Sequence, residues 1–223
     1  MSFLVETHFH TSETSPCGRV PAAEGIRAYQ RLGYDAVVVT DHFFTGFFET
    51  HARLPWPEQV DRYLEGWRRA KTAGDACGVR VLLGMEYAFP GTYDDMLVYG
   101  ATPELLYGNP DLFRLGPAGF GRFVQTHGLL VIQAHPYRPY ISRVYDELVE
   151  GLEVYNGNPR HMSDNARADR LARANGWIGI SGSDFHQPGD EGRGGIRLQA
   201  LPADSADLAA MLRQHRNPVC IRA

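Results

Sequence analysis

The chain has 223 residues, 43% of them hydrophobic, with a formal net charge of −4. That length buries a full core in one large or two small domains, and the acidic balance argues against a broad nucleic-acid-binding face. No leader pattern opens the chain, no apolar run approaches the ~18 residues of a membrane span, and Cys17, Cys77 and Cys220 are too scattered for a disulfide framework, so a soluble cytoplasmic protein is expected.

No repeat, low-complexity tract or linker divides the sequence, so one domain covering 1–223 is expected. An apolar run predicts a first strand at 3–9, which leads into Val5-Glu6-Thr7-His8-Phe9-His10. Strand residues two apart face the same side, so both imidazoles would point at one place, as a transition metal requires. His-x-His alone is a weak signal, because core and surface histidines also produce it. A helix is predicted at 21–32, opened by Pro21, with Ile26, Tyr29 and Leu32 on one face and Gly33 beyond its end. The second strand, 36–41, runs into Thr40-Asp41-His42. After it, Phe43-Phe44-Thr45-Gly46-Phe47-Phe48, with His51, Pro55, Trp56 and Pro57, is unusually aromatic for a loop. It fits stacking on a flat ligand as well as packing onto the body of the fold.

Val60, Tyr63, Leu64 and Trp67 predict one helix over 57–74. Strands follow at 80–86, ending Gly84-Met85-Glu86, and at 96–101. Phe120, Phe123, Val124 and His127 mark a helix stopped by Gly128, ahead of a strand at 129–134 that ends on His135. The remaining elements are a strand at 151–155, a helix near 162–175, a strand at 177–182 and a helix near 204–215. The last of these strands runs into Ser183-Asp184-Phe185-His186.

Seven short strands separated mainly by helices predict a parallel, closed or nearly closed α/β barrel. Barrel sites lie at the C-terminal mouth, built by residues at strand ends. His8, His10, His42, Glu86, His135, Asp184 and His186 all fall at such ends. Imidazole mixed with carboxylate suits Zn, Mn or Fe better than Mg or Ca. Seven ligands exceed one tetrahedral site, so two or three divalent ions are expected, with Glu86 as the bridge.

The series His8-x-His10, Thr40-Asp41-His42, Gly84-Met85-Glu86, Ala134-His135-Pro136 and Ser183-Asp184-Phe185-His186 resembles the PHP family, named for its polymerase and histidinol phosphatase members. The resemblance covers essentially the whole chain. It implies a distorted seven-stranded (β/α)7 TIM-like barrel holding up to three metal ions and hydrolysing phosphate esters. It further implies that His8, His10, Glu86 and Asp184 hold one metal, Glu86 and His135 a second, and His42 with His186 a third. Two departures stand out. Where many members carry an acidic residue or histidine shortly after His-x-His, this chain reads Thr11-Ser12-Glu13-Thr14-Ser15-Pro16-Cys17-Gly18, leaving Glu13, Cys17 or nothing. Near the fourth strand, where many members carry a further histidine, it has Asp94-Asp95-Met96, and Asp95 serves only if it faces inward.

The expected reaction is hydrolysis of a small-molecule phosphate ester, such as histidinol phosphate or a nucleotide, by a metal-activated hydroxide. Glu86 and Asp184, with Arg138 and Arg193 gripping phosphate, are the expected catalytic set. Arginine forks suit phosphate oxygens, and Gly192-Arg193-Gly194-Gly195 has the glycines of an anion nest. Arg19 and Arg160 are weaker phosphate candidates. Asn156 and Asn158 either position substrate or make a turn. The alternatives are a diesterase or nuclease of the same family, an amidohydrolase, and a degenerate non-catalytic domain. Binuclear amidohydrolases commonly bridge metals through a carboxylated lysine, and the only lysine, Lys71, falls within a predicted helix. The retained ligands count against a degenerate domain. Long nucleic acids and membranes are not expected partners.

Overall fold

The computed structural model describes residues 2–223. One sheet holds ten strands: β1 (Phe3–Phe9), β2 (Ala36–Val39), β3 (His42–Phe43), β4 (Arg80–Ala88), β5 (Asp95–Tyr99), β6 (Leu130–Gln133), β7 (Gly151–Asn156), β8 (Ile178–Gly182), β9 (Ile196–Leu198) and β10 (Val219–Cys220). The path β1-β2-β4-β5-β6-β7-β8 within it is the seven expected strands. The sheet curls until β8 meets β1. Phe9 bridges Phe185, His10 N donates to Phe185 O (3.1 Å) and Phe185 N to His8 O (3.2 Å). Further down, β9 pairs antiparallel with Phe3–Val5 and β10 pairs with β9. The barrel is therefore nearly closed.

The expectation of an all-parallel barrel is corrected at the fourth strand, because β5 runs antiparallel to both β4 and β6. Only residues 89–94 join β4 to β5, and a parallel crossover needs about a dozen residues or more. The reversal carries Asp95, the first residue of β5, to the mouth of the barrel.

The helices are α1 (Ala22–Arg31), α2 (Thr45–Thr50), α3 (Trp56–Tyr63), α4 (Glu65–Cys77), α5 (Pro103–Tyr107), α6 (Pro117–Thr126), α7 (Asn165–Asn175) and α8 (Ser205–Gln214). The single helix expected at 57–74 is two, α3 and α4, which meet at Leu64 (φ −78°, ψ −3°). The junction seats Gly66 against the first loop, where an added Cβ would lie 2.0 Å from Thr11 Oγ1 and 2.8 Å from Asp41 Oδ2.

Strand alternation sorts the core. Val5, Val38, Leu82, Leu97, Ile132 and Ile180 fill the barrel interior, joined by Leu208 and Leu212 of α8. Ser205 Oγ accepts from Gly100 N (2.8 Å), tying α8 to the far end of β5, opposite the mouth. Phe9, Ile26, Tyr29 and Val39 pack outside the sheet under α1 and α4. No helix among the described residues is long and apolar enough to cross a membrane.

Candidate metal centre

Period two turns Glu86 inward: Leu82 lies in the interior, while Leu83, Met85 and Tyr87 join the outer core. Asp95 shares its face with Leu97 and Tyr99. The two histidines of β1 need a further device. Glu6 pairs with Val37 and Phe9 with Val39, so three steps on β1 match two on β2. This bulge switches the face of the strand, and His8 and His10 turn into the mouth while Phe9 packs outside. Glu6 Oε1 accepts the amides of Thr7 and His8 (both 2.9 Å), which the irregular pairing would otherwise strand. His135 and Asp184, each just past a strand, have positive φ (29° and 52°). That backbone is costly for a side-chain-bearing residue and clusters at functional sites.

Glu86 lies at the centre. Its Oε1 is 3.2 Å from His8 Nε2 and 3.1 Å from His135 Nε2; its Oε2 is 3.2 Å from His10 Nε2 and 2.9 Å from His42 Nδ1. Asp184 Oδ1 lies 3.3 Å from His8 Nε2, 3.5 Å from His10 Nε2 and 3.3 Å from His186 Nδ1. Four triads bring their ligand atoms within 4.8 Å of one another: His8-His10-Asp184, His8-Glu86-His135, His42-Glu86-Asp95 and His10-His42-His186.

A second layer fixes the ring tautomers, as metal-binding histidines require. His8 Nδ1 donates to Glu153 Oε1 (2.9 Å). His10 Nδ1 donates to Ser15 Oγ (3.0 Å), which donates onward to Asp41 Oδ1 (2.6 Å). In the neutral form of each ring this leaves the Nε2 lone pair toward the centre. Glu153 Oε2 also accepts His135 N and Asn156 Nδ2, both at 2.9 Å. Sequence reasoning missed Glu6, Glu153 and Ser15; the available signal was a carboxylate inside an apolar strand, as in Gly151-Leu152-Glu153-Val154.

The donor set fits divalent cations. Ligands 2.0–2.2 Å from a tetrahedral ion lie roughly 3.3–3.6 Å apart. The His8, His10 and Asp184 atoms are separated by 3.1, 3.3 and 3.5 Å. Glu86 Oε2, although 2.9 Å from His42 Nδ1, has no hydrogen bond of good alignment, and His135 Nδ1 is buried without a partner among the described residues, a costly state for polar atoms.

The charges of the cluster act strongly on one another. Burial opposes charge on His8, but Asp184, Glu86 and Glu153 offset it and hold the ring well above the usual imidazole range. Burial likewise opposes charge on His42, and Glu86 and Cys17 raise it. Burial raises Glu86 and Asp184, yet the histidines around both, with Arg138 beside Asp184, pull them well below the usual carboxylate range. Asp95 is pushed up, by burial first and then by the charge of Glu86. His135 is pushed down by burial and by Arg138.

Above the cluster opens a cleft of about 560 Å³ lined by Cys17, Arg19, Tyr93, Arg138, Tyr140 and Arg160, among others. A larger groove of about 890 Å³ beside α6 contains none of the clustered ligands. Arg138 Nη2 donates to Asp184 Oδ2 (2.5 Å) and Asn156 Oδ1 (2.9 Å). Arg160 forks onto Asp190 (2.5 and 2.7 Å). Asn158 lines the cleft, but its Nδ2 donates to Asp184 O (3.2 Å). Arg193, expected on phosphate, does not line the cleft, and its Nε donates to Gly189 O (2.9 Å). The glycines beside it serve close packing: a Cβ on Gly194 would lie 2.1 Å from Gly182 C. The aromatic segment is α2 and its approach, with Phe43, Phe47 and Phe48 buried in the core. Phe48 stacks on Phe113 at 4.7 Å. Glu13 turns away as well, accepting Ala22 N at 2.9 Å from the start of α1.

No family model and no curated protein matches the chain. Solved structures do. PsfC from Pseudomonas syringae PB-5123 aligns with a TM-score of 0.69 at 18% identity, over 100% of this chain and 92% of that one. A two-domain protein from Bacteroides vulgatus ATCC 8482, described as containing a predicted PHP-like metal-dependent phosphoesterase, aligns with a TM-score of 0.58 at 17% identity. The alignment covers 84% of this chain and 53% of that longer one, about half its length. An amidohydrolase from Chromobacterium violaceum aligns at 0.52 and 16% identity, over 89% and 92% of the two chains. The chain shares its fold with these structures, one of them described as containing a PHP-like phosphoesterase, the family whose motifs the sequence resembles.

Proposed function

We propose that the chain is a metal-dependent phosphoesterase acting on a phosphomonoester of a small molecule. The observation that carries this reading is the Glu86 carboxylate within 3.2 Å of ring nitrogens from four histidines. His8, His10, Glu86 and Asp184 would hold one ion, Glu86, His135 and Asp95 a second, and His42 with His186 a third. Bound divalent ions, Zn, Mn or Fe by donor type, would supply Lewis acidity and an acidified water. The chain's own residues do the rest. Arg138 stays charged beside Asp184 and lines the cleft, where it would supply positive charge to a bound phosphate while Asp184, Asn156, Tyr140 and Ser163 hold its guanidinium nitrogens in place. Arg19 also lines the cleft and forms no ion pair among the described residues, so its charge is free for an anion. Glu153 and Ser15 hold the histidine protons away from the centre.

An amide-cleaving reading is supported by the amidohydrolase neighbour. Lys71, however, is on α4 and pairs with Asp75 (2.9 Å); Glu86 holds the central position a carboxylated lysine would fill. The decisive test is hydrolysis of an aromatic phosphate monoester against the matching diester, using metal-stripped protein reloaded with Mn or Zn and His10→Ala as the blank. Monoester turnover lost in His10→Ala is the expected result. Preferential diester cleavage would move the reading to a nuclease or cyclic-nucleotide enzyme. No cleavage of either ester under any metal would overturn the phosphoesterase reading.

A further inference from the structure

His10, His42 and His186 converge on one side of the centre, their ring centroids 4.2 and 4.4 Å apart across His10. His186 Nδ1 donates to Asp184 O (2.8 Å), which leaves Nε2 as the lone-pair nitrogen. That Nε2 faces Cys17 Sγ at 3.1 Å. Cys17 is the only cysteine among the cleft-lining residues. Glu13, the other donor in its loop, is committed to α1 and lies 3.9 Å from Arg69.

The loop holding Cys17 is tied at several points. Ser12 N donates to Val20 O (3.0 Å), Ser15 N to Thr11 O (3.0 Å) and Gly18 N to Ser15 O (2.9 Å). A Cβ at position 18 would lie 2.5 Å from Thr11 O, so the turn after Cys17 needs glycine. Arg19 N donates to His186 O (2.7 Å), fastening the loop to the backbone of the histidine that Cys17 faces. The thiol is therefore placed by the fold.

We propose that Cys17 is a metal ligand, its thiolate joining His42 and His186 in a sulfur-containing site distinct in chemistry from the oxygen-rich cluster around Glu86. The assignment rests on the metal-centre reading above but not on the substrate. A thiolate with two imidazoles favours zinc or cobalt over magnesium, calcium and manganese. This position thus discriminates among metals more sharply than its neighbours, and the ions of the centre need not be of one kind. An exposed thiol at the cleft also leaves the site open to the substrate side.

Cobalt reconstitution tests this without any ester. Metal-stripped protein is loaded with Co²⁺ and its absorption recorded for the natural chain, Cys17→Ser and the double variant Cys77→Ser/Cys220→Ser. A thiolate-to-cobalt charge-transfer band in the near ultraviolet is expected in the natural chain and the double variant, and lost in Cys17→Ser. In parallel, zinc should protect Cys17 from alkylation. Cys17→Ser should weaken the thiol-dependent zinc site more than about 100-fold, beyond the roughly 10–100-fold cost of an outer contact. Cobalt d–d bands without a Cys17-dependent charge-transfer band would overturn the assignment and leave the metal centre standing. No cobalt spectrum at all would overturn both. A Cys17-dependent band in a protein that cleaves no phosphate ester would support the assignment and sink only the proposed reaction.

Discussion

Glu153→Gln isolates the outer layer of the centre, because it removes a charge without changing shape. Glu153 is fully buried and acts only as an acceptor, taking His8 Nδ1–H on Oε1 and the His135 and Asn156 N–H groups on Oε2. A glutamine has one oxygen and one NH2, so it must face either His8 or the other pair with donors. If the amide nitrogen faces His8, Nδ1 must become the acceptor, and the ring proton moves to Nε2. That proton then points at Glu86 and Asp184, where a metal needs the lone pair. If the nitrogen faces His135 N, a backbone donor is left opposed at the strained φ of 29°. Both outcomes disturb a ligand, and losing such an outer contact costs roughly 10–100-fold in metal affinity. That corresponds to about 1.4–2.8 kcal/mol. The assay is competition for Zn²⁺ or Mn²⁺ against a chromophoric chelator, with circular dichroism confirming the fold. Unchanged affinity in Glu153→Gln would refute the tautomer argument and, with it, the role of His8 Nε2 as a ligand.

Metal at 100 times its dissociation constant should add about 2.7 kcal/mol, raising Tm by roughly 5–10 °C for a chain of this size; a chelator should reverse the shift, and a Tm indifferent to both would count against a metal centre. Asp95→Asn should act with opposite signs in the two states. The folded pKa of Asp95 is raised by burial and Glu86, so its ionised form costs the metal-free fold stability as pH rises above the unfolded carboxylate value. At neutral pH the metal-free variant should melt higher than the natural chain, while its metal affinity falls; a lower metal-free Tm would show that Asp95 is not crowded by Glu86. Gly182→Ala should destabilise by about 1–3 kcal/mol through overpacking, since its Cβ would lie 2.4 Å from His8 Cβ and 2.9 Å from Glu153 Oε1. Denaturant unfolding measures this, and a neutral result would mean the backbone there yields.

What the chain reveals by inspection follows from how each residue is placed. Glu86 lies at the end of a regular strand, where apolar alternation dictates its face, and the positions of His8, His10, His42, His135, Asp184 and His186 at strand ends are readable in the same way. The structure brings all seven together. Alternation does not explain how. His8 and His10 turn inward only through the bulge between Glu6 and Phe9, and no local pattern announces a bulge. The orientation of Asp95 depends on the length of a loop: six residues between β4 and β5 permit a hairpin and forbid a crossover. Read as the start of a parallel strand, Asp95 belongs at the wrong end of the barrel.

The arginine and glycine signals diverge for a related reason. Gly192-Arg193-Gly194-Gly195 has the composition of an anion nest, but composition does not say which atoms approach. Here the approaching group is protein backbone. Gly194 lies against Gly182, and a Cβ on Gly157 would lie 2.4 Å from Arg193 O. These contacts let the loop after β8 pack against the end of that strand, with Arg193 turned toward Gly189 rather than the cleft. Arg138 reaches the cleft because His135 at φ 29° redirects the chain there. The same backbone distortion that presents His135 to Glu86 therefore places Arg138 beside Asp184. Relaxing it should displace both His135 from the cluster and the Arg138 guanidinium from the cleft, coupling metal affinity to anion affinity at this one turn.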